Sequence, residues 1–285
     1  NFNRYITLDY SEPHLELVTP PFVNNFDAYN FLCDLHKYVE TNLDGDLLWN
    51  YSMPPKFKRK YIKLPPHGES NVTKLAHLYR LGLRNRYGDK MQSTAGIHFN
   101  FSFSNSVINA LGNNKTEIYL GVSRNFLRLF PIILRLIGCS PVTHKSFLKG
   151  RQINIENLDV EDCYLPKSTS LRVSRLGYYS EEQDESFITF NSLDEYLLTL
   201  KDYINNPNDK FKNISLDLKQ QVNNGTIQME SELYNHVRPK GIISKDIRAY
   251  TQLKNKGIEY LEIRSIDLNP YTKIGISLED IEFLE

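Results

Sequence analysis

The sequence predicts an α+β protein, and three observations carry that prediction. Residues 96–104 read "GIHFNFSFS" and alternate apolar with polar, the period of a strand whose successive side chains take opposite faces. Residues 257–270, "GIEYLEIRSIDLNP", alternate in the same way. Around them lie several long stretches with apolar residues at helical spacing.

The elements follow in chain order. "RYITLDYSEPHLELVTP" gives strands over 4–10 and 14–19, with Pro13 marking the turn or edge between them. "NNFDAYNFLCDLHKYVETNL" places Phe31, Leu32, Leu35 and Val39 on one helical stripe. The Pro-bounded "PPKFKRKYIKLPP", 54–66, reads as a solvated basic loop. "SNVTKLAHLYRLGLRNRYG" is a helix with Leu75, Leu78, Tyr79 and Leu83 on one side and Gly88 at its end. In the strand 94–104, Ile97, Phe99, Phe101 and Phe103 take the core face, leaving His98 and Asn100 to line a cleft or meet water. "KTEIYLGVSRNFLRLFPIILRLIG" is a long apolar helix, expected to break or kink near Pro131 and to close at Gly138. Extended pieces are expected at 169–173, 186–190 and 226–231. Ser192 caps a helix over "SLDEYLLTLKDYINN". A strand spans 257–268. Ser277, with Asp280 three residues on, opens a final helix.

Composition bounds the function. The 285 residues carry 34 basic and 34 acidic side chains. A formal net charge of zero argues against a general electrostatic grip on nucleic acid or an anionic membrane, while leaving room for a local basic pocket. The three cysteines, Cys33, Cys139 and Cys163, are far apart and form no C-x-x-C; a reducing, cytoplasmic setting is expected. There is no run of 18 apolar residues, so no membrane span is expected. The opening strand and the last helix, which stops after two turns, suggest a piece of a longer chain.

Candidate chemistry sits on the strands. Tyr260, Glu262 and Arg264 share one strand face, neighbours there lying roughly 6.5–7 Å apart. An acid and a base on an otherwise apolar strand need a partner, a metal or water; a surface ion pair is the simplest case. Asp9 and Glu16 add carboxylates of the kind a hard cation takes, although solvent-facing acids fit equally. Arg172 follows a Ser/Thr run, and its fork suits phosphate or carboxylate. The Gly-rich phosphate loops G-x-x-x-x-G-K-[ST] and G-x-G-x-x-G are absent, as is the G-x-S-x-G of many hydrolases.

Five segments in order, "ITLDYSEPHLELVTP", "LYRLGLRNRYGDKMQSTAGIHFNFS", "YLPKSTSLRVSRLGY", "ELYNHVRPK" and "GIEYLEIRSIDLNP", strongly resemble the bacterial glutamate–cysteine ligase family over nearly the whole chain. The resemblance implies a curved antiparallel sheet with outer helices, similar to glutamine synthetase, whose hollow face carries His98 and Asn100. It implies a ligase that joins L-glutamate to L-cysteine through a γ-glutamyl phosphate, with ATP as co-substrate and Mg²⁺ as cofactor. It assigns Asp9, Glu16, His98 and Glu262 to metals. Arg172 and Arg264 fall beside the transferring phosphoryl group, and His98, Asn100 and Arg172 beside the nucleotide. Tyr79, Leu83, Gln92, Tyr178 and Tyr234 would shape the cysteine pocket, over Tyr10 as its floor. Residues 1–285 are then the central part of a single catalytic domain, truncated at both ends, monomeric, and inactive when isolated. The family's Glu-x-Glu motif, upstream of the first strand, is not in this sequence. The alternative is a non-catalytic relative that binds an amino acid or nucleotide on the same sheet.

Overall fold

The computed structural model describes residues 3–56, 58–150, 153–184, 188–242 and 247–285. The hairpin β1 (Ile6–Leu8) and β2 (Leu15–Leu17) leads into helix α1 (Asn25–Glu40). A 3-10 turn over Arg59–Tyr61 precedes α2 (Asn71–Tyr87) and the short α3 (Asp89–Gln92), which deliver the chain to β3 (Ile97–Phe101). Next come α4 (Asn105–Ala110), α5 (Lys115–Ile137), β4 (Val142–His144), α6 (Lys145–Leu148), β5 (Glu156–Asn157) and β6 (Asp162–Tyr164). The last part holds α7 (Glu181–Asp184), α8 (Leu193–Asn205), β7 (Val237–Lys240), α9 (Ala249–Lys256), β8 (Tyr260–Ile266) and α10 (Leu278–Leu284).

The class is α+β, as expected. Every named strand pair is antiparallel, in three small sheets ordered β1-β2, β3-β8-β7 and β4-β6-β5. The central sheet sets the site. Asn100 faces Glu262 across β3 and β8, and Arg238 faces Glu262 across β7 and β8, so one row runs through all three strands. The register slips between Ile97 and Phe99, a local irregularity of the kind that re-aims side chains next to sites.

The two faces of β3 divide as the alternation requires. Ile97 and Phe99 pack on Ile274, Ile276 and Ile281, with Tyr29 and Leu32 of α1 behind them. Phe103 joins the largest core, where Tyr119 and Leu120 of α5 meet Tyr196, Leu197 and Leu200 of α8 and Leu261 of β8. His98 and Asn100 remain exposed on the opposite side. A third core gathers Met53, Phe147, Leu148, Cys163 and Leu171.

The capping signals produce the helix starts they imply. Ser70 and Ser192 cap α2 and α8, and Ser277 with Asp280 forms a full capping box on α10. Helix α5 runs through Pro131 as one element. A helical proline forfeits one backbone bond, and the long, well-packed helix bears that loss.

Three stretches expected to be extended differ. Residues 169–173 form turns with one bridge, Ser140 to Ser170. There Ser170 Oγ accepts from Val173 N and Ser174 Oγ donates to Leu171 O, local bonds that compete with a ladder. Residues 226–231 run as loop into a 3-10 turn, Glu230–Glu232. Of 186–190, residues 186 and 187 lie outside the described residues, and 188–190 are not strand.

Candidate active site

Strand β8 supplies the centre. Glu262 and Arg264 are both nearly buried, and Arg264 Nη1 donates to Glu262 Oε2 at 3.0 Å. Two further cations share that carboxylate: Arg238 Nη1 lies 3.4 Å from Oε2, and Lys240 Nζ lies 3.6 Å from Oε1. Burial alone would raise the Glu262 pKa, but Arg238, Arg264 and Lys240 together hold it down to about 2. Arg264 stays firmly protonated, since Tyr178 and Glu262 outweigh the desolvation that opposes its charge.

Arg172 reaches the same place from the turn after β6. Its Nη2 donates to the Arg264 carbonyl at 3.0 Å and its Nη1 to the Ile266 carbonyl at 3.4 Å. Asp267 Oδ1 stands 3.9 Å from Nη1. Two glycines make this course possible. A Cβ on Gly96 would sit 2.1 Å from the Arg172 Cζ, and one on Gly177 would sit 2.1 Å from the Arg172 carbonyl oxygen. Burial pulls the Arg172 pKa down, against Asp267 and Tyr178.

His98 keeps an exposed flank but is crowded by protein on its other sides. That crowding first, then Arg264, and more weakly Arg172 and Arg238, push its imidazole down to about 3 against the pull of Glu262. It is neutral at pH 7, with Nδ1 3.5 Å from Arg264 Nη1. Asn100 is exposed one row along.

An aromatic wall adjoins the arginines. Tyr178 meets Tyr234 edge to face at 4.5 Å, and Tyr87 meets Tyr234 at 5.4 Å. The Arg172 guanidinium lies 5.9 Å from the Tyr178 ring centre. Gln92 Nε2 donates to the Tyr234 hydroxyl at 2.9 Å. Tyr79 is pushed up by burial and then by the Glu232 charge, and Leu83 is buried on the same helix. Beneath the wall, Arg86 and Glu232 form an ion pair at 3.0 Å with fully buried side chains. The Tyr87 hydroxyl and the Gln228 backbone nitrogen also donate to Glu232, while Arg86 donates to Gln221 and to the Asn223 carbonyl. Every charge there is hydrogen-bonded, the condition for tolerating such a pair.

The remaining candidates lie farther from the arginines. Tyr10 is buried, and its hydroxyl donates to Asp89 at 2.7 Å beside Arg84 and Arg59. Asp9 and Glu16 are exposed on the β1–β2 hairpin. Asp9 pairs with His14 at 3.5 Å, and Glu16 accepts from the Thr7 hydroxyl. Desolvation by the neighbouring protein and then the Asp9 charge raise the Glu16 pKa, against the Thr7 hydroxyl first and then His14 and Arg264. Among the described residues, no three His, Cys, Asp or Glu side chains converge to hold a metal ion. The four expected donors are split between the hairpin, which carries Asp9 and Glu16, and the central sheet, which carries His98 and a Glu262 carboxylate already shared by three cations.

Sequence reasoning missed Arg238 and Lys240. Their alternation in "VRPK" carried the signal, but Pro239 hides the strand; β7 is an edge strand, where proline is tolerated. No described helix is long and apolar enough to cross a membrane.

Comparison with known proteins shows the family. The glutamate–cysteine ligase family profile matches residues 1–285. Glutamate–cysteine ligase of Alcanivorax borkumensis is 38% identical over 300 residues, covering 99% of this chain and 57% of that protein. The Wigglesworthia glossinidia brevipalpis protein of the same name is 40% identical, covering 99% and 59%. This chain thus spans a little over half the length of these curated relatives. Among solved structures, glutamate–cysteine ligase from Francisella tularensis in complex with AMP superposes with a TM-score of 0.93 at 32% identity, covering 99% of this chain and 58% of that one. A bifunctional glutathione synthetase from Pasteurella multocida gives 0.74 at 27% identity, covering 99% and 33%. This chain belongs to the glutamate–cysteine ligase family.

Proposed function

We propose that the chain carries the site of an ATP-dependent ligase that joins the γ-carboxylate of L-glutamate to the amine of L-cysteine, the first step of glutathione biosynthesis. The observation that carries this reading is the buried Arg172–Arg264 unit, fixed by the bond from one arginine to the other's carbonyl and set beside a tyrosine wall. The AMP complex of the Francisella relative supports the use of a nucleotide.

The chemistry needs such a unit. A carboxylate is a poor electrophile, so ATP phosphorylates it: the γ-carboxylate oxygen attacks the terminal phosphorus and ADP leaves. The cysteine amine then attacks the acyl carbon, phosphate departs with the bridging oxygen, and the amine loses a proton. Arg172 and Arg264 offset the charge that gathers on the transferring group while holding it in line. Tyr178, Tyr234 and Gln92 close the side on which a small thiol amino acid sits. Neutral His98 offers a ring nitrogen and no added charge.

Mg²⁺, when bound, neutralises phosphate charge. Asp9 and Glu16 are oxygen donors of the kind it takes, with further ligands coming from phosphate and water. The three cysteines are free, which supports a reducing cytoplasm.

The test is glutamate- and cysteine-dependent ADP release by the complete protein. ADP release that requires both amino acids supports the ligase. Nucleotide binding without amino-acid-dependent turnover refutes it in favour of a non-catalytic binder.

A further inference from the structure

The tyrosine wall is held in place by a side chain that no motif marks. Gln183, on the short helix α7, is 9% exposed. Its Nε2 donates to the Glu232 carbonyl at 3.0 Å, and its Oε1 accepts from the Tyr234 backbone nitrogen at 2.7 Å. One side-chain amide thus takes the two backbone groups that flank Leu233, a task a neighbouring strand performs in a sheet. Leu233 itself is sealed in the largest core.

No ladder does this work for residues 232–234. The segment leaves a 3-10 turn at Glu232, and β7 starts at Val237. The bond from Arg264 N to the His236 carbonyl comes two residues after Tyr234. A backbone group enclosed without a partner is costly, so both ends of the Gln183 amide are needed where they stand.

Tyr234 is where the wall converges. Its ring meets Tyr178 and Tyr87, and its hydroxyl accepts from Gln92. Those contacts set how the ring leans; the backbone sets where it stands. A pocket for a small amino acid offers few contacts, so its width decides what enters. One methylene more or less is worth roughly 10–200-fold in such a pocket.

We propose that Gln183 is a positioning residue for the amine substrate: by clamping the backbone on both sides of Leu233 it fixes Tyr234, and so sets the pocket width that selects cysteine over a thiol amino acid one methylene longer. The inference rests on the ligase reading, with the wall as the cysteine side of the site. Gln183 acts through Tyr234.

The test is steady-state ADP release by the complete protein, with glutamate and either L-cysteine or L-homocysteine. Gln183→Leu removes both bonds at similar volume. It is expected to raise KM for cysteine about tenfold while KM for glutamate and ATP stay within about twofold, and to lower the cysteine-to-homocysteine ratio of kcat/KM about tenfold. Gln183→Glu keeps the acceptor for the Tyr234 N–H and is expected to restore most of that ratio. If Gln183→Leu does not fold, Gln183→Asn, too short to span both bonds, takes its place under the same criteria. A ratio like that of wild type, or KM values for all three substrates that rise together, overturns the assignment and leaves the ligase reading standing. If wild type releases no ADP with glutamate and cysteine, the ligase reading fails and the assignment with it.

Discussion

A single methyl group at Gly96 should disable the site. Its Cβ would lie 2.1 Å from the Arg172 Cζ and Nη2 and 2.5 Å from Nε, about 1.4 Å inside the roughly 3.5 Å of resting contact. A long side chain ordinarily swings clear. Arg172 cannot do so freely, since it is 4% exposed and its two terminal nitrogens are spent on the Arg264 and Ile266 carbonyls. Relief therefore requires breaking the 3.0 Å bond to Arg264, worth about 1.5–3 kcal/mol for a charged donor, or shifting the start of β3. Either way the guanidinium moves by about 1 Å, a misplacement that costs on the order of 100-fold in rate. Overpacking should lower stability by about 1–3 kcal/mol. The assay is Gly96→Ala in the complete protein, with glutamate- and cysteine-dependent ADP release measured beside a denaturant melt. Turnover within about threefold of wild type, with the protein folded, would show that Arg172 is not held where the reaction needs it.

Other outcomes follow from the same geometry. Arg264→Lys keeps the charge but not the planar fork, and should cost about 3 kcal/mol of transition-state stabilisation, roughly 100-fold in kcat/KM; steady-state kinetics near wild type would mark Arg264 as merely structural. His98→Ala should weaken nucleotide binding and leave the melt unchanged, whereas Phe101→Ala on the opposite face should lose about 3 kcal/mol of stability and bind normally; paired titrations and melts showing the reverse would mean that the faces are swapped. Glu262 has a folded pKa of about 2, below its unfolded value, so its contribution to stability is complete at neutral pH. It should fade as pH falls below about 4.5 and through about 2. The melting profile of Glu262→Gln should lack that component, and parallel acid limbs in the two proteins would refute the three-cation pairing.

How much of this is legible in the sequence depends on the range of the interaction. The faces of β3 can be read because period-two alternation is local, and the α10 start because Ser277 and Asp280 are three residues apart. The likeness of five long segments points to His98, Arg172, Glu262 and Arg264, which the structure brings near one another. The turns at 169–173 pass for an extended stretch because serine side chains there bind the nearby backbone, which no apolar pattern reveals. Strand β7 is hidden because Pro239 argues against a strand until its edge position is known. The crossing of Arg172 over Gly96 joins residues from separate segments. Neither residue's neighbours in the sequence announce it.

The fully enclosed Arg86–Glu232 pair has a consequence for how the tyrosine wall is built and opened. It ties together residues 146 positions apart, so the end of α2 and the 221–232 loop must dock in one event. Neither charge can be left behind without its partner, a state costing about 3–5 kcal/mol. Partial fraying of the wall is thereby penalised, and Tyr87 and Tyr234 are coupled to the surrounding core. Amide exchange across residues 84–87 and 226–234 should then follow one shared opening free energy, so that the pocket behaves as a cooperative unit in place of a set of independently breathing loops.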